Sequence, residues 1–130
     1  MQALVGFAAW TLLLVLIVVG WRVAKVLTGV PINSWTRGKE AVKPGLVVRA
    51  EHAHLNSLEN LPLFAVAVLV AAATGKAALA DSVGAYVLYA RVAQSVTHLI
   101  GTSQPLVMVR ATFWTIQVAL IAYLFWGLAA

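Results

Sequence analysis

The sequence predicts an all-α integral membrane protein, built as an antiparallel bundle of four transmembrane helices. The first observation is composition, because 62% of the 130 residues are hydrophobic and only 10% are charged. Soluble domains are nearer half apolar and a quarter charged, and so short a chain cannot bury that much apolar surface in one core. The second is the presence of four apolar runs, each near the roughly 20 residues that span a bilayer. Together they exclude a soluble enzyme and a disordered chain.

We expect one domain over residues 1–130, with helices at about 3–28, 48–73, 81–100 and 105–128. The first run has no basic residues before it and is longer than the apolar part of a signal peptide, so it is expected to stay in the protein. The long first connection is rich in Gly and Pro, which interrupt helices, and Pro105 suits a helix start. The chain has no Cys, which excludes disulfides, thiolate metal sites and cysteine nucleophiles.

The basic residues predict the orientation of the bundle. The first connection and its flanks hold most of them: Lys25, Arg37, Lys39, Lys43 and Arg49. The second connection holds Lys76 alone. Because loops rich in Lys and Arg face the cytoplasm, the first and third connections are expected there and both termini outside. The net charge of +5 is thus explained by topology, without a nucleic-acid partner.

Polar side chains inside the apolar runs fall on single helical faces. Ionisable groups at membrane depth are unfavourable and usually face the bundle interior. On the second helix, Arg49, His52, Asn56 and Glu59 fall within an arc of roughly 80 degrees, and Glu51 and His54 point away from this stripe. One face of the third helix carries Arg91, Gln94, Ser95, His98 and Thr102, and one face of the fourth carries Arg110, Phe113, Trp114 and Gln117.

These stripes lie at one membrane level and predict a single site. Arg22, Arg49, Arg91 and Arg110 would outweigh Glu59 there, so the site is expected to take an anionic ligand that enters from the cytoplasmic side. A simpler alternative is that Glu59 pairs with an arginine of a neighbouring helix and holds the bundle together. No metal site is expected, because His52 and His54 diverge on a helix.

The segment 49–64 resembles the second-helix signature of the MAPEG family, the membrane-associated proteins in eicosanoid and glutathione metabolism. The residues that carry the resemblance are His54, Asn56, Glu59, Pro62 and Phe64. The third helix from Arg91 onward, and Pro105 with Arg110, are similar to the corresponding parts of the family. The chain looks most like a bacterial-type, microsomal glutathione transferase-like member.

This resemblance implies a trimeric four-helix bundle with glutathione as co-substrate, bound between helices of adjacent subunits. Asn56 and Glu59 would contact the polar backbone of glutathione, and Arg22, Arg49 and Arg91 would hold its carboxylates or frame the site. His52 and Gln94, from the same stripes, complete the expected binding set. Arg110 would stabilise the thiolate, with His98 in support.

The function that follows is a glutathione-dependent transferase or peroxidase that acts on apolar electrophiles or lipid hydroperoxides delivered by the bilayer. A bacterial inner membrane suits such a short chain with few loops. The open alternative is a non-catalytic bundle of the same scaffold that binds a lipid or a partner protein. A small transporter is a weaker alternative, since the sequence shows no inverted repeat.

Overall fold

A computed structural model describes residues 1–36 and 43–130. Its described residues form four α-helices, α1 (Gln2–Leu27), α2 (Gly45–Ala73), α3 (Ala77–Ile100) and α4 (Gln104–Ala129), and a 3-10 helix at Ile32–Trp35. The predicted all-α bundle is confirmed, and each helix end lies within four residues of its expected position. Arg37 and Lys39 of the basic connection lie outside the described residues.

Contacts between helix ends show that consecutive helices run antiparallel, whereas α1 and α3 run parallel to each other. Arg49 Nε, near the start of α2, donates to the carbonyl of Leu99 at the end of α3 over 2.9 Å. At the other end, the amino group of Met1 lies 2.7 Å from Asp81, and Lys76 Nζ donates to the carbonyl of Gly127 over 3.1 Å. The first and third connections therefore share one end of the bundle, which we call the connection end. Both termini and the second connection share the other end.

One of the four helices, α3, is more polar than the others, and its polar side chains from Arg91 onward are buried inside the bundle. Within the described residues, α1, α2 and α4 are long and apolar enough to cross a membrane, with 26, 29 and 26 residues. The 24-residue α3 is more polar, and its polar residues Arg91, Gln94, Ser95, Thr97 and His98 are all buried. Because α3 turns these groups inward, its polarity is hidden from the surroundings of the bundle.

The larger of two apolar clusters among the described residues fills the half of the bundle that holds the termini, and the smaller one lies at the connection end. Phe7, Phe64 and Leu124 are fully or almost fully buried in the larger cluster. At Gly84, α1 and α3 approach closely, since a Cβ on that residue would lie 3.1 Å from the Cβ of Ala3. Both α1 and α4 pack against α2 and α3. This arrangement leaves a polar region where α2, α3 and α4 meet nearer the connection end.

Candidate functional site

A cleft of about 300 Å³ opens where α2, α3 and α4 meet. Its polar lining comes from Asn56 and Glu59 of α2, Gln94 of α3 and Arg110 of α4. Val107, Ala111 and Trp114 of α4 form its apolar wall. Four of the site residues expected from the sequence thus come together from three helices, although they are up to 54 positions apart in the chain (56 to 110).

The cleft holds a carboxylate and a guanidinium that are not paired with each other. The ion pairs in the described part of the chain are Met1 with Asp81, Arg22 with Glu51, and Lys43 with Glu51. None of these pairs uses Glu59 or Arg110. No close ion pair between Glu59 and a neighbouring arginine, the simpler alternative, forms among the described residues, although Glu59 lies near enough to Arg91 for the two charges to attract each other. Both charged groups remain able to contact a ligand.

Behind the cleft lies a buried set of side chains that we call the amide network, formed by Arg91, Gln94, Gln117 and Asn60. Arg91 is completely buried, and its guanidinium donates to the side-chain oxygens of both Gln94 and Gln117. Asn60 Nδ2 donates to the same oxygen of Gln117 over 3.2 Å. The Arg91 guanidinium also lies 5.4 Å from the ring centroid of Phe7. The network links three helices and surrounds a buried positive charge with neutral hydrogen-bond acceptors. The carboxylate of Glu59 also acts on this charge, without a direct ion pair.

Three more of the expected residues, Arg49, His52 and His98, lie between the cleft and the connection end. The rings of His52 and His98 lie 6.0 Å apart between centroids, and Arg49 is held by the carbonyl of Leu99. His98 is buried, and its Nδ1 makes no hydrogen bond within the described residues. It is close enough to Arg110 for the charge of that guanidinium to act on it. The helical stripe on α2 therefore faces α3 and α4 along its length.

Arg22 is the one expected site residue that the structure places away from this region. Its Nη2 lies 3.2 Å from Glu51 Oε1, and Lys43 Nζ lies 2.6 Å from the other oxygen of that carboxylate. His54, on the same side of α2, has its Nδ1 3.1 Å from the carbonyl of Thr11. The residues off the stripe thus face α1. Arg22 borders a second, apolar cleft of about 360 Å³ beside Trp35.

A family model of the MAPEG family matches residues 1–130, the whole chain. The chain belongs to the MAPEG family. Membership confirms the resemblance of the second-helix signature and establishes a membrane protein with a glutathione-related function at the level of the family. No curated protein matches the chain.

Within this MAPEG chain, the expected site residues did not include three polar or aromatic residues that the structure brings to the cleft or to the network behind it. Asn60 and Gln117 complete the amide network, and Trp114 forms part of the cleft wall. A signal for Gln117 existed in the sequence, since it lies seven residues after Arg110 on the same helical face. Trp114 lies on the same face, but it was not expected in the site, because a Trp in a membrane helix usually faces lipid or the membrane interface. Among the described residues, no three His or acidic side chains cluster as metal ligands would.

Proposed function

We propose that this MAPEG protein is a glutathione-dependent transferase or peroxidase, and that glutathione binds in the cleft between α2, α3 and α4. Glutathione carries carboxylates, an ammonium group and a thiol. Arg110 offers a cation to the anionic groups, Glu59 offers a carboxylate to the ammonium, and the amides of Asn56 and Gln94 offer further hydrogen bonds. The observation that carries the proposal is a guanidinium and a carboxylate that share one cleft without pairing internally.

The chain contains no Cys, so the nucleophilic sulfur must come from glutathione. The thiolate is the reactive form of a thiol, and a neighbouring guanidinium favours that anion. We assign this role to Arg110, with His98 beside it as a supporting hydrogen-bonding group. In the transferase reaction the thiolate sulfur would form a bond to the electrophilic carbon of the substrate. The bond from that carbon to its leaving group would break at the same time, and the leaving group would depart with the bonding electron pair.

The surroundings of the cleft support an apolar second substrate. Val107, Ala111 and Trp114 line its α4 side, and all three side chains are exposed on the outside of the bundle. An apolar electrophile or a lipid hydroperoxide dissolved in the bilayer would meet this wall first. We propose that glutathione enters from the connection end, past Arg49 and His52. This end would lie on the cytoplasmic side of a bacterial inner membrane.

Arg22 and Arg91 were expected to bind glutathione, but neither can touch a ligand in the cleft of its own chain. Arg22 is bound to Glu51 outside the cleft, so any contact with glutathione requires Arg22 of a second copy, which the proposed homotrimer would supply. Arg91 has no exposed surface, so it acts from behind the cleft. Asn56, Glu59, Gln94 and Arg110 are then the residues of one chain that we propose to touch glutathione.

The proposal is tested by the ultraviolet absorbance of the thiolate after mixing purified protein with glutathione. Wild-type protein should show the signal, and Arg110→Ala should lose it while remaining folded. Lys25→Ala is the matched control, because it removes a positive charge from the exposed connection end of α1 and should keep the signal. An unchanged signal in Arg110→Ala would remove that residue from its role. The absence of both a thiolate signal and glutathione-dependent turnover in wild type would refute the enzyme proposal.

A second candidate function is a non-catalytic bundle that binds a lipid or a partner protein. One observation favours it, the apolar cleft of about 360 Å³ between the end of α1 and the 3-10 helix, with Arg22 at its edge. A ligand that binds only the folded state raises thermal stability. Stabilisation in detergent by lipid, with none by millimolar glutathione, would support this second function over the first.

A further inference from the structure

The amide network determines which end of the Gln94 side chain faces Arg91. A guanidinium can only donate hydrogen bonds, so an amide in contact with it must present its oxygen. The structure shows this arrangement, because one Arg91 nitrogen donates to Gln94 Oε1 and another donates to Gln117 Oε1. Reversing the Gln94 amide would set its NH2 group against the guanidinium, with two donors facing each other.

The nitrogen of Gln94 is left for the cleft. Gln94 lines the cleft, and the oxygen and nitrogen of a planar amide point along different directions, so the oxygen directed at Arg91 turns the nitrogen elsewhere. The side-chain nitrogen of Gln117 is enclosed and has no hydrogen-bond partner within the described residues. Gln94 is 3% exposed as a residue, and its side-chain nitrogen is not among the enclosed atoms that lack a partner in the described part of the chain. Gln94 therefore offers its N–H groups to a ligand, beside Arg110.

We propose that Arg91 is a positioning residue, which fixes the amide of Gln94 so that its nitrogen donates to an anionic group of glutathione. This inference rests on the proposed glutathione site. It accounts for a fully buried arginine that has no ion-pair partner among the described residues. It also makes Gln94 a hydrogen-bond donor in the cleft, so that donors surround the ligand's anionic group and Glu59 alone supplies the charged acceptor.

Variants of Gln94 test the direction of the hydrogen bond, with the dissociation constant for glutathione measured by titration calorimetry. Gln94→Glu replaces the donor with an acceptor and should weaken binding about 10- to 100-fold, the range for a hydrogen bond to a charged group. Gln94→His should stay within about threefold of wild type, because a neutral imidazole accepts from Arg91 at one nitrogen and donates at the other. Unchanged affinity in Gln94→Glu would overturn the inference.

The matched control is Asn60→Leu, which alters the same network at a residue that does not line the cleft. Asn60 is buried and contacts Gln117 rather than the cleft residues. This variant should lower thermal stability and leave the dissociation constant for glutathione unchanged. If Asn60→Leu weakened glutathione binding as much as Gln94→Glu, the effect would come from general loosening of the bundle, and the positioning role would be wrong.

A double-mutant comparison tests whether Arg91 acts through Gln94. Arg91→Lys should weaken glutathione binding in wild type but have little further effect in a Gln94→Leu background, since coupled residues do not contribute additively. Equal effects in both backgrounds would contradict the inference. If wild type itself binds no glutathione, the proposed function fails. If wild type binds and Gln94→Glu binds equally well, only the positioning role fails.

Discussion

Replacing Gln117 with Leu removes the acceptor that Arg91 and Asn60 share. Both donors would lose a partner inside the bundle, and each unsatisfied buried donor costs about 1–3 kcal/mol. The same change also removes the side-chain nitrogen of Gln117, which is buried without a partner among the described residues, and this offsets roughly one of the two losses. Polar contacts between membrane helices are generally worth about 0.6 kcal/mol and reach about 1.7. We therefore expect Gln117→Leu to lower the free energy of unfolding by about 1–2 kcal/mol.

Gln117→Glu distinguishes the loss of the hydrogen-bond acceptor from a change in side-chain packing. Its carboxylate is similar in size to the amide and can accept from both Arg91 and Asn60. It also puts a negative charge next to the buried guanidinium and removes the unpartnered nitrogen. We expect its free energy of unfolding to equal or exceed that of wild type. The assay is reversible unfolding in mixed micelles of a mild and a denaturing detergent. The reasoning is refuted if Gln117→Leu is as stable as wild type, or if Gln117→Glu is destabilised as much as Gln117→Leu.

Three further predictions concern packing, a surface cluster and topology. Gly84→Leu should lower the free energy of unfolding by about 1–3 kcal/mol, because α1 and α3 touch there. Gly20→Ala, where a Cβ would meet open space, should leave the free energy of unfolding unchanged. An equal loss of stability in both variants would contradict the packing account. Glu51→Gln should lower the free energy of unfolding by less than about 1 kcal/mol, since the carboxylate is partly exposed. A larger loss would show that the ion pair with Arg22 stabilises the fold. In this cysteine-free chain, Ser103→Cys should react with a membrane-impermeant thiol reagent only from the cytoplasmic side; labelling from outside would reverse the proposed orientation.

The fold could be predicted from the sequence because membrane helices are specified by local properties. Length, apolarity and turn residues identify each helix without knowledge of its neighbours. The helical spacing on α2 also predicted that Asn56 and Glu59 share a face, and that Glu51 and His54 lie off it. The structure agrees on each of these positions, with Glu51 bound to Arg22 and His54 next to Thr11.

The site could be predicted only in part, because sequence gives a residue's depth along a helix but not the direction in which the packed helix turns it. Arg22 lies at a suitable depth, yet α1 packs so that this side chain meets Glu51 instead of the cleft. Arg91 was expected as a ligand contact, but the packing of Phe7 and Gln117 around it leaves no exposed surface. Which amide faces which donor depends on side chains from three helices, and no single segment contains that information.

Titration of reduced glutathione into the purified protein, with heat of binding and melting temperature measured on the same samples, tests the central claim most directly. We predict saturable binding and a rise in melting temperature for wild type, because a ligand of the folded state stabilises it. Lys25→Ala should behave like wild type, and Arg110→Ala should bind much more weakly while melting normally without ligand. No binding by wild type, or undiminished binding by Arg110→Ala, would contradict the assignment of the cleft as the glutathione site.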